Sequence, residues 1–182
     1  INGCHSKTSS LNYGLPQGSI VGPVSFTIYT IPIGRIIRKH GLSYHLYADD
    51  VQLYTNFDPS SQSSIDHALS SLTLCISDIQ SWMMCNMLQL NREKTEFFVA
   101  ASSHIKNQMP AVKLQVGNET IEPSEKVRNL GVIFDTSMTM CNQISSLSRN
   151  VTFHLRNISR IRRFLDFDSY NDIIRSLILS RV

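Results

Sequence analysis

The feature that most restricts the fold is a pair of strand-type runs with almost nothing between them. Residues 42–48 and 51–57 are rich in Tyr, Val and Leu, and only Asp49 and Asp50 separate them. Runs of that composition at that spacing predict a tight antiparallel hairpin. Its tip then carries two adjacent carboxylates, which repel each other and cost stability unless a cation neutralises them. A tight turn breaks strand alternation, so at least one carboxylate can reach a hard divalent ion, and Mg²⁺ prefers oxygen ligands. Asp is also a good turn former, and the pair taken alone reads as an Asp-rich turn.

The rest of the chain alternates helical and extended patterns. Ile65, Leu69, Leu72, Ile76, Ile79 and Met83 recur at four- and three-residue steps, the core stripe of a long helix. Trp82 lies on that helix and reads as a core residue rather than a stacking platform. An earlier helix is expected to start near Pro23 and to carry Phe26, Tyr29, Ile33, Ile36 and Ile37. Basic residues from Arg35 to Lys39 favour its last turn, Gly41 stops it, and Pro32 argues for a kink or an earlier end. After it, residues 95–101 read as a strand, a hairpin is expected around Gly117-Asn118, and residues 127–134 read as one more strand. Helical periodicity returns from about Ser137 to Leu165, and a last helix starts near Asp168. Antiparallel-style strands with helices between them place the chain in the α+β class.

Composition narrows the function. The chain is 42% hydrophobic and 17% charged, a mix that buries a core and excludes whole-chain disorder. The long uncharged stretch between Lys7 and Arg35 is broken by Pro16, Gln17, Gly18, Pro23 and Pro32, so it is not a membrane span. The first residues do not read as a signal peptide, so an intracellular protein of the nucleus or cytoplasm, not a secreted one, is expected. The first residue is Ile and the last run is apolar, so both ends read as cut edges of a longer protein. Cys4, Cys75, Cys85 and Cys141 have no zinc-ligand spacing and read as ordinary reduced thiols. Three Asn-X-Ser/Thr triplets read as chance matches. The net charge of +3 is uneven: residues 1–140 hold ten Lys/Arg against eleven Asp/Glu, and residues 141–182 seven against three. Arg149, Arg156, Arg160 and Arg163 form a helical stripe there, suited to phosphate or to a solvated face.

Tyr47-Ala48-Asp49-Asp50 resembles motif C of reverse transcriptases, an aromatic-x-Asp-Asp box. Gly14-Leu15-Pro16-Gln17-Gly18-Ser19, with Pro23-Val24-Ser25-Phe26, resembles motif B of that family. The run from Leu88 to Glu96 resembles motif D of the LINE-like (non-LTR) branch. Val127-Arg128-Asn129-Leu130-Gly131-Val132 is similar to the next box, the primer grip. The four boxes stand in family order.

The resemblance implies a right-hand polymerase palm, an antiparallel sheet with packed helices, over residues 1–135. A helical thumb would begin at 136–182, with the fingers absent. It implies two-metal transfer of dNTPs to a DNA primer on an RNA template. Asp49 would be a catalytic Mg²⁺ ligand and Asp50 its less direct neighbour. Tyr47 and Ala48 would flank the primer end, and Gln17 and Gly18 would line the nucleotide pocket. Lys94 would protonate the pyrophosphate leaving group. Asn129, Leu130 and Gly131 would hold the primer, and the arginine stripe would lie along the duplex. Residues 1–13 contain no Asp or Glu, so the family's motif A aspartate is expected to be missing and this chain alone inactive. Two other classes stay open: an RNA-dependent RNA polymerase palm, which shares the Asp-Asp hairpin, and a non-catalytic nucleic-acid-binding remnant. The boxes around Lys94 and Gly131 argue against the former.

Overall fold

The computed structural model describes residues 18–181. The fold is α+β, with helices interspersed among three two-stranded sheets. The chain forms two compact units. Among the described residues, one contains those up to Glu93 together with Leu114–Thr120, and the other contains Lys94–Lys113 and those from Ile121 onward.

The first unit opens with helix α1, Gly22–Lys39. Pro23 sits in its first turn, where a missing N–H is harmless. Arg38 and Lys39 suit its C-terminal dipole, and Gly41 follows at φ +70°. The early end suggested by Pro32 does not occur: the helix runs through it. Pro32 has no N–H to offer the Ile28 carbonyl one turn back, and Ile28 lies on the exposed side of the helix, 62% exposed.

Strands β1, Ser43–Tyr47, and β2, Asp50–Tyr54, then pair antiparallel with Tyr47 opposite Asp50. Tyr44 faces Leu53 across the strands and Leu46 faces Val51. These four pack on a core of Ile33, Ile37, Leu42, Cys75 and Ile79. The alternate positions, including His45, Tyr47, Asp50 and Gln52, form the other face.

Helix α2, Gln62–Cys85, supplies the far wall of that core, and its Ser61 cap accepts from the Ser64 N–H. The expected stripe is borne out: Ile65, Ile76 and Ile79 are buried, and Leu72 and Met83 pack against the core cluster. Trp82 packs there too, its ring 6.0 Å from that of Tyr29. Burial pushes the Cys75 thiol up to about 11, which leaves it protonated and inert at neutral pH. A 3-10 turn, Arg92–Lys94, follows. Further on, β3, Leu114–Val116, and β4, Glu119–Ile121, form the expected hairpin, with Gly117 at φ +61°.

In the second unit two strand expectations fail. Residues 95–101 form no strand, only a bridge between Phe97 and Pro123. Pro123 has no N–H to extend a ladder; instead Ser124 N–H donates to the Phe97 carbonyl at 2.8 Å. A short helix α3, Ser103–Gln108, follows, capped by Ser102. Residues 127–134 are not one strand but a hairpin of β5, Lys126–Asn129, and β6, Val132–Asp135. The break falls on Leu130 and Gly131, both at positive φ, as a twist-matched two-residue hairpin turn requires. Helix α4, Cys141–Ile161, packs on β6 and on helix α5, Phe167–Leu177. A 3-10 turn, Arg162–Phe164, joins the two helices, and another, Leu179–Arg181, ends the described chain. Among the described residues no helix is long and apolar enough to cross a membrane.

Candidate active site

The β1–β2 hairpin places Asp49 and Asp50 at its tip, both exposed. The two turn residues are Ala48 and Asp49, not the two aspartates: Asp50 already belongs to β2, opposite Tyr47. Ala48 takes φ +50°, a left-handed conformation that an alanine adopts only at a cost. Pairing of Leu46 with Val51 and of Tyr47 with Asp50 leaves just two residues to reverse the chain, which forces that geometry. Tyr47 is 59% exposed and flanks the tip.

Neither carboxylate has a hydrogen-bond or ion-pair partner among the described residues. Two exposed, partnerless, oxygen-only donors suit a hard cation such as Mg²⁺ in chemistry. They do not complete a site. Among the described residues no group of three or more His, Cys, Asp or Glu could hold a metal ion. Further ligands would have to come from water, substrate or another carboxylate.

The other expected site residues are more scattered. Gln17 lies outside the described residues. Gly18 precedes α1 at φ +87°, with no atom of the described residues within 4 Å of where a Cβ would project. Lys94 ends the Arg92–Lys94 turn, exposed, and belongs to the second unit, whereas Asp49 and Asp50 belong to the first. A groove of about 1000 Å³ beside Met84, Leu88 and Leu90 holds none of the expected site residues.

Asn129, Leu130 and Gly131 sit at the tip of the β5–β6 hairpin, with Leu130 49% exposed. Arg149, Arg156 and Arg160 share one face of α4, and all three are exposed. Arg163 falls beyond the helix, its guanidinium 4.7 Å over the Phe164 ring.

Sequence reasoning missed three residues that build the neighbourhood of α4. Asp135, at the end of β6, accepts from Thr139 N–H, Thr139 Oγ1 and Met140 N–H at 2.9–3.0 Å. Those bonds, the Thr139 amide first, hold its carboxyl below the usual range. Lys126 and Arg128 line a groove with Arg149. The Lys-x-Arg alternation on a strand was the available signal. It was hidden because the strand was read for its apolar residues.

Residues 1–134 match the family described as reverse transcriptase (RNA-dependent DNA polymerase). The chain is also 26% identical over 154 residues to the RNA-directed DNA polymerase from mobile element jockey of Drosophila funebris. That match covers 82% of this chain and 16% of the relative, so the chain spans about a sixth of that protein's length. No solved structure matches the chain.

Proposed function

Because the chain belongs to the reverse transcriptase family, we propose that it carries the catalytic hairpin of an RNA-directed DNA polymerase from a LINE-like (non-LTR) retrotransposon. The observation that carries this reading is the tip itself: Asp49 and Asp50, exposed and partnerless, on a turn that holds Ala48 at φ +50°. Residues 1–135 are then part of a right-hand palm and residues 136–182 the start of a helical thumb. RNA template, DNA primer and dNTPs are the partners, and the nucleus or cytoplasm is the compartment.

In this reading Asp49 is the principal Mg²⁺ ligand and Asp50 a less direct one. A bound Mg²⁺ supplies charge neutralisation between the attacking primer hydroxyl and the triphosphate. Tyr47, beside Asp50 in the register, offers an aromatic wall for the primer end. Gln17 and Gly18 belong to the nucleotide pocket, where the open backbone of Gly18 permits close approach. Lys94 gives a proton to the departing pyrophosphate. Asn129, Leu130 and Gly131, with the α4 arginines, hold the primer–template strands.

Mn²⁺ titrated into the 182-residue chain should broaden the backbone signals of residues 47–51 first, and Asp49→Asn should remove that effect. In a polymerase that joins this segment to a motif A aspartate, Asp49→Asn should lower dNTP incorporation by roughly a thousandfold or more, since the metal contributes several kcal/mol. Asp50→Asn should cost less. Unchanged broadening together with near-parental incorporation in Asp49→Asn would refute the assignment.

A further inference from the structure

The first unit contains a groove of about 1000 Å³ along the C-terminal half of α2. Gln80 and Met84, four residues apart, reach it from one face of that helix. The helix closes where the Leu88 N–H donates to the Met83 carbonyl at 2.8 Å, with Met87 in the left-handed region at φ +54°. That closure turns the chain back, and Leu88, Gln89 and Leu90 form the other wall of the groove. Neither Asp49 nor Asp50 lines it, and none of these wall residues carries a role in the polymerase reading.

The chemistry of the two walls defines what fits between them. Leu88 to Asn91 belong to no helix or strand, and they alternate half-buried and exposed, the period of an extended chain. Gln89 and Leu90 make no backbone hydrogen bond among the described residues, so they present an unused edge. Opposite that edge, Gln80 Nε2 is sealed from solvent with no hydrogen-bond partner among the described residues, which costs stability. The last torsion of a glutamine is soft, so the amide can turn to meet an acceptor in the groove. Met84 is 77% exposed, and its flexible thioether adapts to apolar groups of varied shape. The charged residues of the lining are Arg92 and Glu93, one of each sign, and Arg92 already lies 3.8 Å from Glu119. A lining without net charge suits a neutral chain and not a phosphate strand, whose binding depends on free cations.

We propose that this groove docks an extended, uncharged peptide segment of a partner protein. The segment adds its backbone to the Gln89–Leu90 edge, lays apolar side chains at alternate positions on Met84, Leu88 and Leu90, and accepts a hydrogen bond from the Gln80 amide. Backbone pairing supplies the affinity in such a site, and the apolar wall selects the side chains. A compact apolar ligand would cover the methionine and the leucines but leave the backbone edge unused. A peptide strand satisfies the edge, the apolar wall and the orphaned amide together.

The test is an NMR titration of the full 182-residue chain with an acetylated, amidated pentapeptide, Ser-Leu-Thr-Leu-Ser. Saturable shifts should appear at the backbone amides of Gln89 and Leu90 and at the side-chain amide of Gln80. Two N-methylated forms of the peptide, blocked at the leucines or at the residues between them, probe the pairing. A strand paired along one edge uses the N–H of alternate residues, so one form should bind and the other should not. Gln80→Met keeps the size of the side chain and removes the orphaned amide. It should raise Tm by about 2 °C or more and weaken the peptide by about tenfold, a pair of opposite changes that misfolding cannot mimic. A lower Tm in Gln80→Met would make Gln80 a structural residue and overturn the proposal, as would an unchanged affinity or equal binding of the two N-methylated forms. If an RNA–DNA hybrid shifts these signals and the peptide does not, the groove takes nucleic acid and the proposal fails. If the same signals move with protein concentration alone, a second copy is the occupant and the proposal fails. Absence of peptide shifts at millimolar concentration also overturns it.

Discussion

Gly34→Ala should disturb the support of the β1–β2 hairpin. Gly34 is buried on α1 beside Tyr44 of β1. A Cβ there would lie 2.7 Å from Tyr44 Cζ and 3.1 Å from Cε2, and nearer still to the hydroxyl. Carbon atoms prefer about 3.5–4.0 Å, so the ring has to move. It is not free to move. Its hydroxyl accepts from Arg38 Nη1 at 2.8 Å, the Arg38 guanidinium lies 5.6 Å from the ring centre, and the ring packs on the core cluster. Overpacking of this kind costs about 1–3 kcal/mol. Against it stands the helix preference for Ala over Gly, about 0.8–1.0 kcal/mol. The net loss is about 0–2 kcal/mol, a fall in Tm of up to about 8 °C at 2–4 °C per kcal/mol for a chain of this length. The assay is thermal unfolding of four proteins: parent, Gly34→Ala, Tyr44→Leu and the double variant. In the Tyr44→Leu background the clash is gone, and Gly34→Ala should become neutral or stabilising. A Gly34→Ala protein that melts above the parent would sink the close-contact argument.

The hairpin tip offers a second test. Ala48→Gly should raise Tm slightly by removing left-handed strain of about 1–2 kcal/mol, offset in part by added unfolded-state entropy, whereas Ala48→Val should lower it. Equal melting of the two variants would show that the turn does not hold that φ in solution. The third concerns pH. The Asp135 carboxyl is depressed by its hydrogen bonds, so its stabilisation is present above the unfolded pKa of about 3.9 and is lost as pH falls through the lower folded value. Asp135→Asn should therefore melt below the parent at neutral pH, and the gap should close in acid. A gap independent of pH would mean that the carboxylate charge plays no part in holding the turn.

Periodic and turn-marked features were legible in the sequence. The α2 stripe needs only a 3.6-residue repeat, and Ile65, Ile76 and Ile79 are buried as that repeat requires. The β1–β2 hairpin follows from two strand-type runs and a short gap, although its turn falls one residue earlier than the Asp49–Asp50 spacing predicts, on Ala48 and Asp49. What was not legible depended on long-range pairing. Residues 95–101 have strand composition, but their partner is Pro123, which cannot donate. Residues 127–134 read as one strand because the turn starts on Leu130, an apolar residue with no turn preference of its own. The basic groove was invisible for a related reason: Lys126 and Arg128 are separated from Arg149 by a hairpin and a turn, and only the packing of α4 on β6 brings them together.

Local preference is overridden at the tips of the two hairpins that carry the family boxes, as it also is at Met87, Met138 and Met140. Ala48 and Leu130 each open a two-residue turn at positive φ, at φ +50° and φ +46°, where Gly, Asn or Asp would be easier. Such strain persists only where surrounding structure over-determines it. Behind Ala48 stand the Leu46–Val51 and Tyr44–Leu53 pairs, packed on the helical core. Behind Leu130 stand the Asn129–Val132 pair and the bond from Ile133 to Gln143 on α4. Each tip is therefore aimed by the residues that support it and not by its own turn chemistry. A tip held from behind keeps its outward side chains, Asp49 in one hairpin and Leu130 in the other, free of structural duty. Conservative changes at Asp49 should accordingly alter chemistry without unfolding the unit, whereas changes at Gly34 or Asp135 alter the support and reach function only through it.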